Sequence, residues 1–230
     1  LALARRWNAH QGDVNRLLRH DNGKLIASCG DDGYVRVWNA QTGQKERERY
    51  LGKKLFELAF CQQGKVLLAG GDRDEIIGWD WDRNEEAFRL PGLKTRALAF
   101  QSQTEALARA DMNAGLSLAK LADSIGHPQT PVDSDRRTND VTFSPDGQFL
   151  AASNRDGRIF VWSTKLGMSV GDWKGHIDAV HAIKFLPDGR RLVSVSTDKT
   201  VAIWETTGRL ISRFHADMGA IWSLDLSSDE

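Results

Sequence analysis

The chain has 230 residues with 31 basic and 31 acidic side chains, so no global field draws it to nucleic acid or to an anionic membrane. Its apolar fraction of 40% suits a globular domain, and no run of about 18 apolar residues offers a membrane-spanning helix. Cys29 and Cys61 lie in strand-like text with no Cys-x-x-Cys pattern, which excludes a disulfide scaffold and reads as two reduced core thiols in a cytoplasmic protein.

The text opens at Leu1 with no secretory leader pattern. Residues 1–9 fit the last strand of an earlier unit, with Trp7 three residues before His10 as Trp173 is before His176. A first unit then runs over residues 10–50. Val14, Leu17 and Arg19 mark its first strand, Asp21-Asn22-Gly23 a turn, Leu25–Gly30 the second strand and Tyr34–Trp38 the third. The charged run Gln44–Tyr50 suits an exposed outer strand.

A second unit spans 51–91, with strands at Leu55–Phe60, Val66–Gly70 and Glu75–Trp79. The third, 92–133, is degenerate. Its alanine-rich text has helical propensity, but Met112-Asn113-Ala114-Gly115 supplies a turn in register, so strands are expected at Glu105–Ala110 and Leu116–Lys120. Residues 123–137 hold two prolines and mixed charges and read as a long surface loop around that unit's fourth strand. The fourth unit, 134–174, has strands at Val141–Phe143, Phe149–Ser153 and Arg158–Trp162. The fifth, 175–214, is the clearest. Val180–Phe185, Leu192–Ser196 and Val201–Trp204 alternate with period two, and Pro187-Asp188-Gly189 and Thr197-Asp198-Lys199 are turns between them. His215 opens a partial sixth unit, with Ile221, Leu224 and Leu226 in first-strand slots, which would join residues 1–9.

Trp38, Trp79, Trp162 and Trp204 close the third strands at a period near 42, with Lys120 in the slot between the second and third of them. Four strands per unit at that period predict an all-β, radially repeated β-propeller of five complete blades plus flanking strands, part of a six- or seven-bladed ring. Ring closure then needs strands beyond those written here, and an open ring leaves two raw sheet edges. Gly175-His176, Phe185, Asp188-Gly189, Asp198 and Trp204 stand where the WD40-repeat family has them, and the chain resembles that family over nearly its whole length.

Ser194, His176 and Asp198 read like a hydrolase triad, and the trio recurs as Ser28, His10 and Asp32. Each comes with a tryptophan at the same offset, Trp204 and Trp38. A nucleophile has no reason to repeat at structural periodicity, whereas a hydrogen-bond ladder does. The indole N–H can only donate and the carboxylate can only accept, so indole to serine to imidazole to carboxylate satisfies every group. The resemblance implies the same structural tetrad. It decays elsewhere: unit four keeps Asp156 and Trp162 but has Ala152 and Ser134, unit two has Ala69 and Arg73, and unit three has Ala110 and Ala114. The six histidines show no zinc spacing, and phosphate-loop, nucleophile-elbow and dinucleotide motifs are missing, so no catalytic residue, metal or cofactor is expected.

The expected function is non-catalytic: a scaffold that binds proteins or peptides on the propeller face, with no small-molecule substrate. The rivals are a sensor or regulatory propeller of a larger signalling enzyme, and a nucleic-acid-binding propeller resting on Lys53, Lys54, Lys94, Arg96, Arg136, Arg137 and Arg155. By resemblance, three positions per blade look onto the centre of the face. These include Asp13, Asn15 and Asp31, then Lys54, Phe56 and Asp72, then Lys94, Arg96 and Asn113, then Arg137, Asn139 and Arg155, then Ala179, His181 and Thr197, and last Ala220 and Trp222. The partner-binding set is Lys54, Phe56, Lys94, Arg96, Arg137, Asn139, Arg155, His181 and Trp222, which fits a partner with an acidic segment beside an apolar anchor.

Overall fold

The alternation in the sequence becomes five antiparallel four-stranded sheets in a computed structural model, which describes residues 8–20, 22–91, 94–112, 115–121, 131–133, 137–216 and 219–226. Expectations placed on Trp7, Asp21, Asn113, Ala114, His127, Ser134 and Arg136 lie outside these residues. The first sheet is β1 (Val14–Arg19), β2 (Leu25–Gly30), β3 (Tyr34–Asn39) and β4 (Lys45–Tyr50). The second is β5 (Leu55–Cys61), β6 (Val66–Gly71), β7 (Glu75–Asp80) and β8 (Glu85–Pro91). The third is β9 (Thr95–Gln101), β10 (Ala106–Asp111), β11 (Gly115–Lys120) and β12 (Pro131–Asp133). The fourth is β13 (Thr138–Phe143), β14 (Phe149–Asn154), β15 (Arg158–Ser163) and β16 (Met168–Lys174). The fifth is β17 (Val180–Phe185), β18 (Arg191–Ser196), β19 (Thr200–Glu205) and β20 (Leu210–His215). Each is a meander, pairing neighbours in sequence, as short turns between alternating runs require. The alanine-rich third unit is strand, as its turn placement predicts, because its alanines pack between sheets where propensity carries little weight.

Sheets stack face to face through four apolar layers. Val35 and Val37 of the first sheet meet Leu55, Leu58 and Leu67 of the second. Leu68 and Ile76 meet Leu98 and Leu107, Ala108 and Leu116 meet Val141 and Leu150, and Ile159 and Val161 meet Val180 and Ile183. Each buried aliphatic side chain contributes about 1.5–3 kcal/mol over an exposed one. The first strands of successive sheets are neighbours, β1 beside β5, then β9, β13 and β17. They form the inner wall, and the charged β4 and β8 lie outermost.

Two expectations change. The slots of Val14 and Leu17 match Val180 and Ile183, yet Val14 is 45% and Leu17 63% exposed while the latter two are fully buried. No described sheet lies on that face of β1, so repeat position alone does not bury them. His215 does not open a new unit: it is the last residue of β20 and exposed. Residues 219–226 form no strand, since no described strand offers them a ladder. They are tied to the fifth sheet by the Ile221 N–H on the Ser196 carbonyl at 3.2 Å and by the Lys184–Asp225 ion pair.

Candidate binding cavity at the inner strands

All five inner strands carry the same irregularity. The ladder skips one residue near the start of each: Asn15, Phe56, Arg96, Asn139 and His181. A bulge leaves its extra residue unpaired and re-aims its side chain. Here all five bulged side chains line one cavity of about 780 Å³, together with Met112, Arg155, Ala179 and Trp222. Arg16, Glu57 and Asp140, each following a bulge, line the same cavity.

Among the residues proposed from the sequence, Phe56, Arg96, Asn139, Arg155, His181 and Trp222 therefore converge. Trp222 is 67% exposed and lies over His181, ring centroids 4.1 Å apart. Lys54, Lys94 and Arg137 lie outside the lining, exposed on the rim. Lys54 pairs with Asp31 of the preceding blade, and Lys94 pairs with Asp72 at 2.5 Å. Asn15 and Asn139 brace neighbouring blades: their side-chain amides donate to the carbonyls of Leu55 at 2.8 Å and Val180 at 2.9 Å.

The carboxylates below this level are the residues that sequence reasoning missed. Arg16 Nε lies 2.6 Å from Glu57 Oε1. Burial pushes the Glu57 carboxyl up to about 8 against the pull of Arg16. Asp140 is also raised by burial, and its oxygens accept from the N–H groups of Val141 and Ile183 at 3.0 Å. The available signal was a carboxylate in mid-strand, within LFELAF and TNDVTF.

The two ladders are set back in the blades. In the fifth, Trp204 Nε1–H donates to Ser194 Oγ at 2.8 Å, the serine donates to His176 Nε2 at 2.7 Å, and His176 Nδ1–H donates to Asp198 at 2.9 Å. Thr200 adds a hydroxyl donated to Asp198 at 2.6 Å. In the first, Trp38 reaches Ser28 at 2.8 Å, Ser28 reaches His10 at 2.8 Å, and His10 reaches Asp32 at 2.7 Å, with Arg36 on Asp32 at 2.8 Å. Burial lowers His176 toward its neutral form, which leaves Nε2 free to accept. Ser28 and Ser194 are wholly buried, and each already receives an indole N–H. A substrate has no path to either hydroxyl. In the second blade Trp79 donates instead to Asn84 Oδ1 at 3.1 Å, and Arg73 pairs with Glu75 at 2.6 Å. In the fourth, Asn154 Oδ1 takes over the turn, accepting from the N–H groups of Asp156 and Arg158 at 3.0 and 2.9 Å.

The family model described as "WD domain, G-beta repeat" matches residues 2–39, 121–163 and 167–205, together just over half of the chain. The chain is 29% identical over 200 residues to WD repeat-containing protein 1 of Xenopus tropicalis, covering 80% of this chain and 32% of that protein. It is 30% identical over 176 residues to the serine-threonine kinase receptor-associated protein of Gallus gallus, covering 73% and 47%. Autophagy-related protein 16 of Arabidopsis thaliana is 23% identical over 188 residues, covering 78% and 36%. The chain spans less than half the length of each of these relatives.

Proposed function

From the premise that the chain belongs to the WD-repeat family, we propose that it is a non-catalytic binding module whose cavity at the inner strands takes a protein or peptide partner. The observation that carries this reading is the convergence of five bulged side chains on one cavity. The bulge bends each inner strand and, repeated in five sheets, aims five side chains into one space. Phe56 and Trp222 supply aromatic anchors, and Arg96 with Arg155 a positive side, the residue types that dominate binding energy at interfaces. An acidic segment beside an apolar residue matches that surface. The ion pairs at Lys54 and Lys94 divide the basic residues into matched and unmatched sets, which favours a local acidic contact over a continuous track for nucleic acid.

The test is partner capture with the full-length protein. Phe56→Ala and Trp222→Ala should each weaken capture at least tenfold with an unchanged melting temperature. Arg190→Glu, at the turn that joins the far end of β17 to β18, should leave capture intact. Loss of capture with Arg190→Glu and retention with both aromatic variants would move the site to the other end of the inner strands.

A further inference from the structure

The outer edges of the blades are not alike. In β4, β8, β16 and β20 the ladder skips one residue beside the closing tryptophan of the third strand: Glu46, Ala87, Val170 and Ile211. Charges guard the first two edges, Lys45 to Arg49 in β4 and Glu85, Glu86 and Arg89 in β8, as exposed edge strands require. The edges of the fourth and fifth blades carry apolar residues instead. Leu166 and Met168 are 66% and 64% exposed, and Val170, Leu210 and Ile211 are exposed as well.

These two edges face each other across a seam. Residues paired across an antiparallel ladder share a face of the sheet. Met168 pairs with Ser163, two residues after Val161, which packs against the fifth blade, so Met168 turns toward that blade. Leu210 pairs with Trp204, whose ring lies 5.9 Å from that of Trp173 in β16, so Leu210 turns toward the fourth. Glycines bring the edges together: a Cβ on Gly171 would lie 3.0 Å from the Thr206 carbonyl oxygen, and one on Gly208 would lie 2.9 Å from the Trp173 ring. The carboxylates of the seam are taken, Asp172 by Arg158 at 2.6 Å and Glu205 by Arg209. Lys165, just before β16, and Lys174, at its end, are exposed and have no ion pair among the described residues.

We propose that this seam docks an amphipathic helix of a protein partner, with its apolar stripe on Met168, Val170, Leu210 and Ile211 and acidic flanks on Lys165 and Lys174. The skipped residues select a helix over an added strand. A bulge turns an edge away from continuous pairing, so a new ladder cannot run past Val170 or Ile211. A helix needs only an apolar surface, which it meets with anchors at i, i+3, i+4 and i+7. The seven residues of β16 span roughly 23 Å, the length of about four helical turns. The unpaired lysines at both ends set the sign of the partner's charge. This surface lies on the outer side of the blades and does not depend on the reading of the inner cavity.

The experiment titrates the full-length protein into three fluorescein-labelled peptides of about sixteen residues, four helical turns. The first carries leucines at helical spacing with glutamates beside the stripe. The second has lysines in place of those glutamates, and the third arranges the residues of the first in period-two alternation. The first should bind about tenfold more tightly than either of the others. Met168→Glu and Ile211→Glu should each reduce its affinity roughly tenfold, with an unchanged melting temperature because both side chains are exposed. Lys174→Glu should weaken the acidic peptide and strengthen the basic one. Glu46→Ala, at the same skipped slot on the charged edge of the first blade, should change nothing. Tighter binding of the period-two peptide would make the seam a strand-addition edge. A dimer in sedimentation that Met168→Glu turns into a monomer would give the seam to a second copy of this chain. Loss of peptide binding with Phe56→Ala but not with Met168→Glu would place the peptide in the inner cavity. Each of these outcomes overturns the helix site, as does equal affinity for the acidic and basic peptides, indifference to both glutamate substitutions, or no binding at millimolar protein.

Discussion

His176→Ala is the sharpest test of the ladder, because His215 offers a control with the same repeat credentials in the sequence. His176 is buried with three partners: Ser194 below it and Asp198 and Thr200 beside it. Truncation leaves the serine hydroxyl with its indole donor but no acceptor, and strips the nearly buried Asp198 of its imidazole. An unsatisfied buried group costs about 1–3 kcal/mol and more when charged, and the vacated ring volume adds a cavity term, so a loss of roughly 3–5 kcal/mol is expected. In a domain of this size that lowers the melting temperature by roughly 6–20 °C. His215 is an exposed residue at the end of β20, and His215→Ala should stay within about 0.5 kcal/mol of wild type. Urea unfolding followed by far-UV circular dichroism measures both. Coincident midpoints for the two variants would refute the ladder as a stabilising element, and a loss with His215→Ala as large as that of His176→Ala would refute the reasoning from burial.

Three further outcomes are expected. Ile183→Ala should cost about 2–5 kcal/mol and Leu17→Ala less than about 1 kcal/mol in the 230-residue chain, since the same repeat slot is fully buried in one and open in the other; equal losses by urea unfolding contradict the description of β1. Between pH 4.5, the ordinary carboxyl value, and about 8, folded Glu57 keeps a proton that the unfolded chain has released. Its contribution is therefore full below 4.5 and is lost as pH rises to about 8, and Glu57→Gln should flatten the stability profile across that window; Arg16 and Asp140 are the charged groups facing it, and an unchanged slope counts against the raised value. Gly33 sits at φ +74° in the turn after Asp32, where an added Cβ would lie 1.6 Å from the Gly52 carbonyl oxygen. Gly33→Ala should cost at least about 1–3 kcal/mol, and a neutral result in thermal unfolding would place that turn wrongly.

The fold was legible because the information lies in period two within strands and a period near 42 between them, which one chain displays several times over. Even the third blade, with alanines at Ala108 and Ala110 and no tryptophan, could be placed by register against its neighbours. Less was legible where a residue's surroundings come from another blade. Leu17 has the right slot and the wrong exposure because its burial depends on a facing sheet, not on its own strand. Lys54 and Lys94 looked like free cations beside Arg96, but their matching carboxylates sit some two dozen residues away, in the preceding blade. Glu57 and Asp140 went unread because alternation assigns a strand residue one of two faces, and the bulge before each breaks that count.

The repeated bulge also separates two kinds of change in this chain. A residue that the ladder skips contributes neither a cross-strand pair nor a share of the apolar layers, so its replacement leaves register and core untouched. The chain shows this tolerance internally: the five skipped positions hold asparagine, phenylalanine, arginine, asparagine and histidine, while the residue before each is valine, leucine or threonine. Mutational drift can thus rewrite Phe56 or Arg96 without disturbing the ladder, whereas Asn15 and Asn139 also brace the neighbouring blade. Such positions, varied blade by blade, amount to a combinatorial alphabet for recognition carried on a scaffold whose strand ladder does not register which letters are written.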